Sequence, residues 1–158
     1  MSRSQATILT NMCLIEDGRG NIVMQIRDPK RYYWSGAALP GGHIEAHEGL
    51  VESVIREVKE ETNLTLENVV IFPVGVYEGN NRDPRDSDSA WSKSHAFFYR
   101  IPQEVFEHQK EHIRGLDDAE DVDWKSIEEI KEMKLAFDHG LIINDALNLY
   151  LNKKLKIK

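Results

Sequence analysis

Residues 39–64 read LPGGHIEAHEGLVESVIREVKEETNL, two adjacent glycines leading into a helical segment with glutamates crowded at its end. Pro40-Gly41-Gly42 predicts a tight, backbone-exposing turn, because glycine takes φ > 0 without the Cβ clash that other residues meet. A helix is expected next. At 100° per residue, Leu50, Val51, Val54, Ile55 and Val58 fall on one arc, the pattern of a stripe that faces a core. Glu57, Glu60 and Glu61 gather beside that arc at i, i+3, i+4, so their carboxylates are neighbours on about one turn of surface. They sit in the last turn, where the helix dipole favours cations. One reading of this charge run is a solvated face with Arg56 paired to Glu52 or Glu60. The other is a bound hard cation, and Mg2+ or Mn2+ suits carboxylate and carbonyl oxygens. Asn63 is expected to close the helix, since asparagine tolerates the left-handed conformation there.

The spacing around these residues goes further than the helix alone. Gly42, five residues, Glu48, seven residues and then Arg56-Glu57-Val58-Lys59-Glu60-Glu61-Thr62-Asn63-Leu64 closely resembles the signature of the Nudix hydrolases. Asn63 departs from it, standing where that family usually has glycine. Both residues suit a helix C-terminus, so the departure touches no ligand.

A chain of 158 residues has the length of one domain with a proper core. Its composition, 41% hydrophobic and 30% charged, is that of a soluble globular protein. No apolar run approaches the ~20 residues that span a bilayer. The N-terminal residues lack the order of a secretory leader, and a lone Cys13 cannot form an internal disulfide. A cytoplasmic location without membrane attachment is the expectation. A net charge of −7 argues against a nucleic-acid polymer as partner, because phosphates repel such a surface.

In chain order, residues 7–15 and 22–27 read as a hairpin around a Gly-rich turn. Residues 28–38 form a loop carrying Tyr32, Tyr33 and Trp34, either a hydrophobic lid or a base-stacking platform in which Tyr32 and Trp34 contact a nucleotide. Arg27 either meets a phosphate or marks an exposed edge. Residues 68–78 are a strand interrupted at Pro73, as at an edge or bulge. Residues 79–92 are the longest polar loop, where Arg82 and Arg85 either grip phosphate or carboxylate through guanidinium forks or pair internally. Residues 93–101 return as a strand. His108 and His112 in residues 103–115 are i, i+4 if helical, but a pair without a third ligand is weak evidence for zinc, and the same holds for His43 and His47. Residues 117–124 join an acidic loop to a short strand. Ser126 and Glu129 form a capping box, and a last helix covers residues 138–151.

This order suits a mixed sheet between helices. The resemblance implies the same, a single Nudix hydrolase domain over residues 1–158 with an α/β/α sandwich and the signature helix packed on the sheet. It also implies hydrolysis of a nucleoside diphosphate linked to another group, with Mg2+ or Mn2+ as cofactor. By that likeness Glu57, Glu60 and Glu61 hold the metal, with the Gly42 carbonyl a further candidate ligand. Arg56 orients the glutamates and Glu48 supports the loop. In many relatives an acidic residue shortly before the tryptophan at the Trp124 position joins the chemistry, which singles out Glu120 and Asp121. For the substrate the two halves differ. Thr10-Asn11-Met12-Cys13 and WSGAALPGGHIE, residues 34–45, resemble enzymes acting on 8-oxo-dGTP and related purine triphosphates. NRDPR, residues 81–85, DAEDVDW, residues 118–124, and LAFDHGLIINDAL, residues 135–147, resemble ADP-ribose pyrophosphatases. The back half carries more weight, because substrate-selecting loops in this family lie largely after the signature. A Nudix domain that senses its nucleotide without cleaving it is the alternative. Many members dimerise, so a homodimer is an open expectation.

Overall fold

Alternation with period two decides which side of the sheet each strand residue covers. In β1, Ala6–Glu16, Met12 and Leu14 belong to one buried cluster and Cys13 and Ile15 to another. β2, Asn21–Arg27, divides in the same way, Ile22 and Met24 against Val23. Both faces of the sheet are therefore covered. The computed structural model describes residues 6–27, 36–66, 70–79, 82–83, 86–87, 89–113 and 121–151, with only the backbone of Arg27.

The remaining elements are β3 Gly36–Ala38, β4 Gly41–His43, α1 Leu50–Thr62, β5 Phe72–Tyr77, β6 Ala90–Arg100, α2 Gln103–Gln109, β7 Asp121–Ser126, α3 Ile127–Lys131 and α4 His139–Ala146, with a π-helical turn at Leu147–Leu151. Among the described residues, seven strands form one mixed sheet in the order β3-β2-β1-β6-β5, with β4 on β1 and β7 on β2. β1 and β6 run parallel along their whole length, and the other pairs are antiparallel. Helices α1 and α2 pack on one face, and α3 and α4 on the other. This is the expected α/β/α arrangement, with the glutamate-bearing helix on the sheet. Complete burial of Val54 in α1 contributes about 1.5–3 kcal/mol, and Val58 as much again.

Several local expectations change. Gly41 and Gly42 make no turn: they pair as β4 with Met12 and Asn11, and neither has a positive φ. Leu50 and Val51 are 40% and 44% exposed, because periodicity specifies an angle around the helix and says nothing of how far the first turn overhangs the sheet. The buried side of α1 is Ser53, Val54, Glu57, Val58 and Thr62. Gly36–Ala38 belong to a strand instead of the preceding loop, and β6 starts at Ala90, three residues before Lys93, because it follows β1 from Ala6 onward. The last helix is regular only to Ala146.

Other expectations hold. The β1–β2 hairpin closes at Glu16 and Ile22, β5 is an edge strand with its irregularity between Pro73 and Gly75, and Asn63 ends α1 at φ 66°. Ser126 and Glu129 make the reciprocal cap of α3. None of the helices among the described residues is long and apolar enough to cross a membrane.

Cys13 lies in the middle of this layering, fully buried, and burial pushes its thiol up to about 12. A thiol reagent at pH 8 is expected to leave Cys13 untouched in the native protein and to label it fully in denaturant. Fast labelling of the folded chain would place the thiol at the surface.

Candidate active site

The missing side chain of Gly42 decides where the glutamates sit. A Cβ on Gly42 would lie 2.4 Å from Cδ of Glu57. Without one, β4 comes directly against the Glu57 carboxylate. Glu57 is 8% exposed, and burial pushes its carboxyl above the ordinary range even though the Arg56 guanidinium pulls the other way.

Arg56 joins the pieces. Its Nε and Nη2 donate to the two carboxylate oxygens of Glu48 at 2.6 and 2.9 Å, and Nη2 also donates to the His43 carbonyl at 2.9 Å. Nη1 donates to Glu57 at 2.8 Å and to Glu60 at 3.2 Å. The fork geometry of guanidinium suits this multiple engagement, which a lysine could not reproduce. Glu48, which also accepts from the Glu45 N–H, is held at about 2 by its bond to Arg56. One cation thus orders a helix, a strand and the loop between them.

Arg56, Glu57 and Glu60 line a cleft of about 440 Å3, the size of a small-molecule site. Glu57, Glu60, Glu61, Arg56, Gly42 and Glu45 share it with Thr10, Asn11, Ser94, Arg82, Phe137 and His139. Arg82 reaches it with all three of its guanidinium nitrogens donating. Nε and Nη2 donate to the two oxygens of Asp138 at 2.8 and 2.7 Å, and Nη1 donates to Ser92 and Ser94 at 3.0 and 3.1 Å. The internal pairing is the reading that this geometry favours for Arg82.

Asp121 opens β7 exposed and is not among the cleft-lining residues. Tyr32, Trp34, Arg85 and Glu120 lie outside the described residues, as does the side chain of Arg27.

Sequence reasoning did not single out His139, whose buried Nδ1 accepts from the Leu39 N–H at 3.0 Å. Nor did it find Asn11 and Gln25, whose amides donate to Ser53 at 2.7 Å and to Glu61 at 2.8 Å. The available signal was a polar residue at an inward-facing position of an apolar strand, which is costly unless it has a partner.

Chemically, the cleft offers the carboxylates of Glu57, Glu60 and Glu61, with Gly42 of β4 beside them. That is the donor set a hard divalent cation takes. Among the described residues no three acidic, histidine or cysteine side chains are already gathered as a ligand shell. Arg56 Nη1 lies between Glu57 and Glu60 instead. The residue types and their common cleft nevertheless fit Mg2+ or Mn2+.

The sequence model of the NUDIX domain family matches residues 8–146. An ADP-ribose pyrophosphatase of Methanocaldococcus jannaschii is 32% identical over 127 residues, 80% of this chain and 66% of that protein. The ADPR responsive transcriptional repressor NtrR of Acinetobacter baylyi is 27% identical over 143 residues, 88% of this chain and 51% of the repressor. This chain therefore spans only part of either relative. The NUDIX domain of Shewanella oneidensis NrtR complexed with ADP ribose superposes with a TM-score of 0.73 at 21% identity, over 94% of this chain and 90% of that one. A MutT/nudix family protein from Enterococcus faecalis gives 0.73 at 23% identity, over 97% and 65%. At those identities the likeness is one of fold.

Proposed function

This chain belongs to the Nudix family, and from that premise we propose that it is a metal-dependent pyrophosphohydrolase acting on a nucleoside diphosphate linked to another group, with ADP-ribose first among the candidates. The observation that carries the reading is the buried Glu57 carboxylate against Gly42, in one cleft with Glu60 and Glu61. A binding module has no need of three crowded carboxylates, whereas phosphoanhydride hydrolysis does.

Glu57, Glu60, Glu61 and the Gly42 carbonyl would hold the cation. When bound, it neutralises phosphoryl charge and lowers the pKa of a water nucleophile. The chain supplies the rest. Arg56 holds Glu57 and Glu60 in fixed orientations, so little reorganisation remains for the reaction itself. Glu48 in turn anchors Arg56 to the loop ahead of α1. Asp138 fixes Arg82, which lines the same cleft as the glutamates and would border the second half of a two-part nucleotide. Hydrolysis adds water across the P–O–P bridge, and ADP-ribose would yield AMP and ribose 5-phosphate. Glu120 and Asp121 stay candidates for an additional acidic role.

ADP-ribose is favoured over 8-oxo-dGTP by the archaeal relative. The repressor relative and the ADP ribose complex of an NrtR domain favour a second reading, that of a sensor which binds the same nucleotide.

Turnover separates the readings. Purified protein is to be assayed with ADP-ribose, NADH, nucleotide sugars, diadenosine polyphosphates and 8-oxo-dGTP, with Mg2+ or Mn2+ and again after EDTA. The expected outcome is fastest turnover of ADP-ribose, abolished by EDTA. Tight ADP-ribose binding with no turnover of any substrate would establish the sensor, fastest turnover of 8-oxo-dGTP would move the substrate, and activity undiminished by EDTA would end the metal reading.

A further inference from the structure

Two carboxamides are buried on the face of the sheet that carries α1. Strand alternation puts Asn11 on the same side as Cys13 and Gln25 on the same side as Val23. Asn11 is 3% exposed and Gln25 is fully buried. Packing does not explain them, since an apolar side chain of similar volume would fill either place without burying an amide.

Their hydrogen bonds have a common target. Asn11 Nδ2 donates to Ser53 Oγ at 2.7 Å, and Gln25 Nε2 donates to Glu61 Oε2 at 2.8 Å. The direction of each is settled by its partner. The Ser53 hydroxyl donates to the Leu50 carbonyl at 2.7 Å, so its oxygen is left to accept, and a carboxylate has only acceptors. The amide carbonyls, Asn11 Oδ1 and Gln25 Oε1, accept no hydrogen bond among the described residues. Both amides therefore act through their N–H groups on α1.

Ser53, Glu57 and Glu61 are spaced by four and form one stripe of the helix. Asn11 holds its first member, Gln25 its last, and Gly42 admits the middle one. We propose that Asn11 and Gln25 are positioning residues that set the roll of α1 on the sheet, and that Gln25 orients the Glu61 carboxylate toward the divalent cation. An amide suits this task. It holds the carboxylate through a hydrogen bond and brings no charge, so Glu61 keeps its negative charge for a cation. Partners of this kind behind a metal ligand typically change metal affinity by about 10–100-fold when removed.

The inference rests on the metal reading above, and one experiment distinguishes the two. Mn2+ is titrated into the substrate-free protein by calorimetry, for wild type and for Gln25→Met, which keeps the volume and loses the N–H. Thermal melts in EDTA run alongside. The expected result is an Mn2+ Kd raised about tenfold in Gln25→Met, with the KM for the nucleotide at saturating metal unchanged. A Kd within twofold of wild type, or a lowered melting temperature with unaltered Kd, overturns the role of Gln25 and leaves it a core residue. If Gln25→Met does not fold, Gln25→Asn carries the same test, because its shorter amide cannot reach Glu61. Wild type that binds no Mn2+ overturns the metal reading itself, and this inference with it.

Discussion

Replacing Glu60 by glutamine is expected to lower kcat by about a hundredfold or more with a far smaller change in KM. Glutamine matches glutamate in size and helix propensity, so α1 should form as before. The side chain of Glu60 is 45% exposed and bonded only to Arg56 Nη1 at 3.2 Å among the contacts described. Little packing is at stake. What disappears is a negative charge in the cleft, where a hard cation prefers carboxylate to amide oxygen. Relief of repulsion from Glu57 and Glu61 is expected to leave the metal-free protein unchanged or more stable by a few tenths of a kcal/mol. Steady-state kinetics at saturating Mg2+ and melts without metal check both halves. A near-normal kcat would make Glu60 part of a solvated face and shift the metal to Glu57, Glu61 and the acidic segment at Glu120 and Asp121.

The adjacent glycines are expected to respond to alanine in opposite ways. At Gly41 a Cβ would stand 2.1 Å from the carbonyl oxygen of Asn11 and 2.7 Å from Cα of Met12. These are backbone atoms of the paired strand and cannot swing aside. Overpacking typically costs about 1–3 kcal/mol where side chains can adjust, so Gly41→Ala is expected to lose more than about 3 kcal/mol and to yield little folded protein. At Gly42 the obstacle is the far end of Glu57, its Cδ at 2.4 Å and its oxygens at 2.5 and 2.6 Å. That side chain can rotate away. Gly42→Ala is expected to fold with a modest drop in melting temperature, yet to lose about a hundredfold in kcat, the cost of misplacing a reacting group by about 1 Å. Denaturant titration and kinetics on the two variants test the contrast. A fully active Gly42→Ala would mean that the position of Glu57 does not matter to turnover.

Much of this was legible in the linear order of residues. The spacing of Glu57, Glu60 and Glu61 placed three carboxylates together, as they are in the cleft, because i, i+3, i+4 neighbours must share a surface whatever the helix packs against. Strand alternation and the Ser126 and Asn63 caps were equally local, each depending on dihedral preference or on partners within four residues. The mixed sheet followed from the order of the elements and from the signature.

Long-range approach was not legible in that way. The two glycines read as a turn, since glycine permits φ > 0; in the fold they serve closeness, one to the backbone of β1 and one to Glu57 fifteen positions later. For Arg82 a phosphate grip and an internal pairing were equally open, and Asp138, 56 residues away in sequence, takes its guanidinium. Gln25 and Glu61 are 36 apart, and nothing in either neighbourhood announces the bond. Sequence pattern reports what a residue does within its own turn or strand. Which atoms from different elements meet at 3 Å is settled only when the sheet, its register and the helix above it close together, because a shift of one residue in register would turn Asn11 or Gln25 to the opposite face.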